Sequence, residues 1–558
     1  MADEDTQEAG AEGQETDQSL LEQIIYDGKI ARDRTNADQR ANARKMVQEF
    51  VDKVLADENI MDDQVQERIK EQITALDEKI NAQLNEIMHH KSFQELEATW
   101  RGLHYLVMNA ETGQRLKIRV LNVSKKDLLK DLQKAVEFDQ SALFKKVYEE
   151  EYGTFGGNPF SMLIGDYSFG RHPTNDFALL KLIAEVAAAA HAPFISAADP
   201  ALLDMDSWTE LPAPRDLAKI FDSAEMATWR SFRESEDSRY ITLTLPRVLL
   251  RLPYGVDTVE VEGLNFEEEV YVPGDPDSAS EIEFTDNELL NMEEDARLAL
   301  EARRSEDGKL YKTLGEVLRE RLAGGESRKD IARQTVHNRY LWGNPAYIMG
   351  ERIANAFSLH GWTAAIRGVE GGGKVEGLPN HTFRTVEGDV IATCPTEVQI
   401  TDRRENELNH LGFVTVVHKK NEDYAAFFGG QTVNKPKTYN KAAANANARL
   451  SAMLPYMLNA SRFAHYVKVI VRDKVGSFMT EDNLRDYLNV WISDYVLGKD
   501  DAGQSIKAKY PLREARVDVT PIPGRPGSYN AVIFLRPHFQ LEDLTASIRL
   551  VAELPPAA

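Results

Sequence analysis

Residues 161–196 read SMLIGDYSFGRHPTNDFALLKLIAEVAAAAHAPFIS, and this stretch decides the fold class. Ser161–Gly165 is a short apolar run closed by glycine, which predicts a buried strand. Phe177–Ala190 is rich in Ala and Leu, which predicts a buried helix. Pro193–Ser196 predicts the next strand. Tyr240–Leu245 alternates β-branched and apolar side chains and predicts another, as does Leu116–Val123 on the N-terminal side. Together these predict a compact mixed domain, α/β or α+β, over about 111–256.

On the N-terminal side the pattern is helical. Val65, Ile69, Ile73, Leu76, Ile80, Leu84 and Ile87 recur at intervals of three and four, so residues 36–90 should contain a long helix with one apolar stripe. Residues 93–110, with Trp100, Leu103 and Leu106, predict another. Residues 1–18 read as a disordered acidic tail. Ser19 and Glu22 then form a capping box, and Leu20, Leu21, Ile24 and Ile25 share one face before Gly28. A helix of two turns is marginal alone in water. It either docks on its own protomer or is offered to a partner. The helical region therefore spans 19–110.

On the C-terminal side, 257–338 changes character. Residues 257–295 hold fifteen acids and no Lys or Arg, and a mixed-charge helical segment follows. This reads as a charged surface insertion. From 339 to 558 apolar density returns. Helix patterns occur at 346–360, 442–472 and 480–496, and strand patterns at 413–418, 515–521, 530–536 and 547–554. In the last of these, Ile548, Leu550, Ala552 and Leu554 alternate with Ser547, Arg549, Val551 and Glu553, a half-buried strand with an edge to share.

Net charge is −24, and its distribution says more than its size. Residues 1–19 hold seven acids and no base, and with the acidic run they account for 22 of the 24 excess charges. The remainder, 68 acids against 66 bases, offers no basic field for nucleic acid. No apolar run reaches the roughly 18–20 residues that span a bilayer, and the first residues lack a secretory pattern. The single cysteine, Cys394, excludes an internal disulfide and a Cys-based zinc site. The expectation is a cytoplasmic protein with no direct membrane insertion.

Gly368-Val-Glu-Gly-Gly-Gly373-Lys374-Val375 has the spacing of a phosphate-binding loop up to its last position. There Val375 replaces the Ser or Thr that would hold magnesium, and Val-Glu-Gly-Leu-Pro379 cannot open a long helix. A structural glycine turn is the expectation. Asp166, His172 and Asp176 match no standard metal spacing. Ser168 is one place off a nucleophile elbow, and Cys394 reads as a buried inert thiol. No catalytic, cofactor or metal residues are assigned, and the chain is not expected to be an enzyme.

Five phrases resemble one family. They are FGGNPFSMLIGDYSFG (155–170), AAAAHAPFISAADPALL (187–203), YLWGNPAY (340–347), AAIRGVEGGGKVEGLP (364–379) and FLRPHFQLEDLTASIRLVAELP (534–555). Together they look like the large sheath subunit of type VI secretion systems, the TssC/VipB class. The similarity runs from about 18 to 555. It implies a multidomain fold with a C-terminal core like that of phage tail sheaths. It also implies co-assembly with a small sheath subunit into a helical, contractile tube around an inner tube protein, on a baseplate, with effectors exported. An AAA+ unfoldase would recycle the contracted sheath, and the helix of Leu20, Leu21, Ile24 and Ile25 occupies the position it recognises in some systems. The strand of Ile548, Leu550, Ala552 and Leu554 would join neighbouring protomers. Some seventy residues separate Glu269 from Tyr340, where the family pattern runs almost directly on. The alternatives are a tail-sheath protein of a phage-like particle and, from Gly368–Val375 alone, a nucleotide-dependent enzyme.

Overall fold

The computed structural model describes residues 62–270 and 337–540, apart from short gaps, together with 39, 41–47, 281–283 and 311–313. The acidic tail, the helix at 19–27, most of the insertion and the strand at 547–554 lie outside the described residues. The chain divides into two compact units, residues 1–89 with 254–268, and residues 90–253 with 269–558.

The first unit is built on the long helix α1 (Asp62–His89). Residues 254–268 run against its last turns. Asn81 Nδ2 donates to the Asn265 carbonyl at 2.8 Å and Asn85 Nδ2 to that of Glu267 at 3.1 Å. Glu268 is buried, accepts from the Tyr254 amide at 3.0 Å, and lies 3.4 Å from His89 Nε2. One expectation is corrected here: the 257–295 run is not all solvated surface, since Glu268 is packed and the Tyr254 amide offsets part of its desolvation. The helix forms as the spacing requires, but Ile73, Leu76, Ile80 and Ile87 stay exposed.

The second unit contains α2 (Lys91–Asn109), α3 (Lys125–Lys134) and a six-stranded sheet in the order β1-β2-β3-β11-β12-β8. Its strands are β1 (Leu163–Phe169), β2 (Phe194–Ala198), β3 (Ile241–Leu245), β8 (Lys374–Val375), β11 (Phe413–His418) and β12 (Ala425–Phe427). The first four in that order are parallel, and β12 and β8 are antiparallel additions. Strands from either side of the insertion therefore share one core. Leu243 of β3 faces Phe413 of β11, 170 positions later. Both sheet faces are covered, which explains why the strands read as continuous apolar runs. On one face α4 (Ala178–Ala190) packs with Trp208, Trp229 and Phe413. On the other, α5 (Ala346–His360) packs with Ile195, Val414 and Val416.

Shorter pairs surround the sheet: β4 (Val248–Leu249) with β7 (Trp342–Gly343), β5 (Glu281–Glu283) with β6 (Tyr311–Thr313), and β9 (Thr382–Arg384) with β10 (Val390–Ala392). The C-terminal lobe packs α6 (Leu454–Lys474) and α7 (Glu481–Ser493) against the hairpin of β13 (Leu512–Pro521) and β14 (Tyr529–Pro537). The Trp362 and Phe463 rings stack at 4.3 Å in its centre. The helix expected over 442–472 is two helices, Ala442–Leu450 and α6, with Pro455 in the first turn of α6, where its missing N–H costs nothing. The strand expected at Leu116–Val123 is not formed; those residues pair with no strand among the described residues.

Candidate assembly surface

The residues most suggestive of chemistry turn out to be joints. In Val369–Gly373 the chain makes a single turn and enters β8, not a helix. Gly368 and Gly372 hold φ of 68° and 91°, which side chains disfavour, and the Gly368 amide donates to the Phe427 carbonyl at 2.7 Å. Lys374 is ion-paired with Glu376 and sits 4.5 Å from the Tyr424 ring centre. No helix N-terminus is presented to a phosphate, so this is the expected structural turn.

Asp166, His172 and Asp176 are not brought together as a metal site. Asp176 accepts from the Gly170 amide at 2.8 Å and pairs with Lys125, while His172 contacts Thr174. Asp166 instead accepts from Asn344 at 3.2 Å. Asn344, in the YLWGNPAY phrase, also donates to the carbonyls of Gly165 and Tyr167 and caps the start of α5 through the Ala346 amide. Two of the family-like phrases thus meet at one amide. Burial, with Asp166 nearby, pushes the Tyr347 phenol well up. Ser168 is exposed on β1. Cys394 is only partly buried, against expectation, and its sulfur lies 3.1 Å from Thr396 Oγ1. Burial raises its pKa, but bonds from His418 and Thr396 outweigh that and lower it. Among the described residues no cluster of His, Cys, Asp and Glu could hold a metal, and no helix is long and apolar enough to cross a membrane.

The root of the insertion is clasped. Glu397, its side chain wholly buried, receives two bonds from Arg247 at 2.6 and 2.7 Å and lies 3.0 Å from His337 Nε2. Bonding from Arg247 and His337 overcomes the cost of burial and holds the Glu397 carboxyl below its usual range. The His337 ring stacks on Trp342 at 5.0 Å, and the His337 backbone carbonyl accepts from the Trp342 indole N–H at 2.8 Å. Beside it Arg339 pairs with Glu269 at 3.4 Å, so the chain enters and leaves the insertion at neighbouring points.

What remains unsatisfied is on the outside. Helix α2 buries Gly102 and Leu106 toward α5, where a Cβ on Gly102 would overlap Tyr347. Its other face leaves Phe93, Leu96, Trp100 and Met108 open, with Trp100 63% exposed. In the C-terminal lobe, Asn489 of α7 bonds both backbone groups of Val517 at 2.8 and 2.9 Å and so covers part of the β13 edge. The β14 edge has no partner strand among the described residues, and Phe534 on its outer face is 65% exposed. Residue spacing gave α2 as a helix but not its open face; an aromatic at Trp100 on a stripe beyond the one carrying Gly102 and Leu106 was the available signal.

The comparisons with known proteins agree. Residues 70–281 and 325–434 match the family model of the EvpB/VC_A0108 tail sheath N-terminal domain. Residues 443–554 match that of the EvpB/VC_A0108 tail sheath gpW/gp25-like domain. The chain belongs to the TssC/VipB family of sheath proteins. It is 49% identical over 488 residues to the type VI secretion system sheath protein TssC1 of Pseudomonas aeruginosa, covering 87% of this chain and 85% of that protein. Among solved structures, a chain of the anti-feeding prophage baseplate aligns over 37% of this chain and 50% of its own length, at 11% identity and a TM-score of 0.26, a likeness too slight to carry an argument. The TssC/VipB family is one of structural sheath proteins, and the mixed α/β, multidomain architecture expected from sequence is the one observed.

Proposed function

We propose that the chain is the large subunit of a type VI secretion sheath. The carrying observation is the 49% identity to TssC1, spread over nearly the whole of both chains. In this reading it pairs with a small sheath subunit, and the pairs stack into a cytoplasmic helical tube around an inner tube, on a baseplate. Contraction of the tube drives the inner tube and its effectors outward, and an AAA+ unfoldase then recycles the subunits. The surface is consistent with this. A monomeric protein rarely leaves apolar helix faces like those of α1 and α2 open, and an uncovered β14 edge invites a neighbour's strand. The strand of Ile548, Leu550, Ala552 and Leu554 is a fitting donor to such an edge. Contacts of this kind are heterologous and build open filaments. The segments read from sequence, 19–110, 111–256, 257–338 and 339–558, are proposed as successive parts of the assembled subunit, with 111–256 and the first part of 339–558 joined through one sheet. The test is co-expression with a small sheath subunit, followed by negative-stain microscopy. Hollow tubes that require both chains support the proposal; tubes formed by this chain alone would favour a phage-like sheath.

A further inference from the structure

The segment 115–123, RLKIRVLNV, has the composition of a strand. Its backbone nevertheless has almost no partners. Among the described residues, no backbone N–H from Lys117 to Val123 donates a hydrogen bond. Of the carbonyls over 117–123, only that of Val123 accepts one, from the Tyr167 hydroxyl at 2.8 Å. Val120 is 67% and Leu121 51% exposed. The segment is nonetheless held at both ends. Gly113 donates to the Leu116 carbonyl at 2.8 Å, and Ser124 caps α3 through the Asp127 amide. In between, Arg119 is ion-paired with Glu151 and lies over the Phe160 ring. A stretch that alternates apolar and cationic residues and whose backbone groups over 117–122 are open among the described residues is the half of a β-pair that a chain presents when the other half comes from elsewhere.

The side chains state what the other half should be. At the period of a strand, Leu116, Ile118 and Val120 fall on one face, and Arg115, Lys117 and Arg119 on the other. Glu151 answers Arg119, but Arg115 and Lys117 make no ion pair among the described residues. Cross-strand neighbours on a face interact most strongly. The fitting partner is therefore an extended strand with apolar residues at alternate positions and carboxylates between them. The terminal strand at 547–554 has Ser547, Arg549, Val551 and Glu553 on its polar face, a single acid, and so does not fit.

We propose that residues 115–123 are a strand-docking site for a segment of a second, different protein chain, one that alternates apolar and acidic residues. This does not depend on the sheath reading, because it follows from the open backbone and the charge pattern alone. Hydrogen exchange on the full chain at low micromolar concentration tests it, with the peptide Ac-SVEVEVTS-NH2 as probe and Ac-SVKVKVTS-NH2 as control. Amides 117–123 should exchange freely in the chain alone, and the acidic peptide should slow them by about tenfold or more while the basic one does not. Val120→Pro removes one donor from a position with no internal hydrogen bond to lose, so the thermal melt should be unchanged while peptide affinity falls by roughly tenfold. Three results overturn the proposal. These are protection of 117–123 in the chain without peptide, equal protection by both peptides, and full peptide binding by the proline variant. Protection without peptide that grows with protein concentration would assign the segment to a second copy of this chain instead.

Discussion

Replacing Glu397 with leucine tests whether the clasp at the root of the insertion is an energetic unit. The carboxylate is wholly buried and has three charge-assisted contacts at 2.6–3.0 Å. Breaking a buried pair from one side costs roughly 3–5 kcal/mol, because the remaining charge is stranded. Here the Arg247 side chain is 45% exposed and can turn into water, which places the loss near the lower end, about 3 kcal/mol. His337 loses one bond. The same argument says that Arg247→Met combined with Glu397→Leu should recover most of the loss, since no charge is then left behind. The assay is a double-mutant cycle read by hydrogen exchange. It follows amides that tie the clasp to the core, those of Glu397 on the Arg247 carbonyl and of Leu249 on the Pro395 carbonyl. Local opening should be easier by about 3 kcal/mol in Glu397→Leu and by only about 1 kcal/mol in the double variant. If Glu397→Leu changes these amides by less than about 1 kcal/mol, or the double variant is no better than the single, the clasp is decoration and the root is held by packing alone.

Three further outcomes are expected. Lys374→Ala should leave tube formation intact, and neither it nor the parent protein should release heat on titration with magnesium-ATP; binding that the substitution abolishes would restore a nucleotide role to Gly368–Val375. Burial pushes His465 down to about 4, and its folded value lies below the ordinary 6.5. Its share of stability is therefore complete above about pH 6.5 and lost as pH falls toward 4, at most about 3 kcal/mol, so thermal melts of His465→Phe should lose less between pH 7.5 and 5 than those of the parent. Leu21→Asp with Ile24→Asp should give tubes that assemble and contract but resist the unfoldase and ATP; disassembly at the parental rate would remove this helix from recognition, and failure to form tubes would make it structural.

The sequence was most legible where local pattern and burial agree. The strand at Phe413–His418 and the helix at Ala346–His360 stand where periodicity placed them, because a strand buried on both faces and a helix against a sheet leave continuous apolar signals. Leu116–Val123 misled for the same reason: its composition asks for a strand, but pairing is a property of the neighbour and no neighbour is encoded nearby. The glycine turn was readable because Val375 and Pro379 deny the phosphate-loop geometry locally. The clasp was not, since Arg247, His337 and Glu397 lie 150 and 60 positions apart and nothing in their surroundings marks them as a set. His89 and Glu268 are a second such pair. The open face of α2 lay between: the spacing gave the helix, but which stripe faces solvent depends on α5.

The ion pair of Arg339 with Glu269 carries a consequence for how this protein can diverge. Two chain positions seventy residues apart are pinned beside each other at the sheet's margin. Whatever lies between them closes a loop whose ends are already fixed, and each doubling of its length adds only about 0.6 kcal/mol of entropy cost. Lengthening or exchanging that segment need not disturb the register of β4 with β7. The seam is thus a natural point for graft and replacement: a fluorescent domain with adjacent termini, substituted for residues 271–336, should leave the fold beneath it able to form.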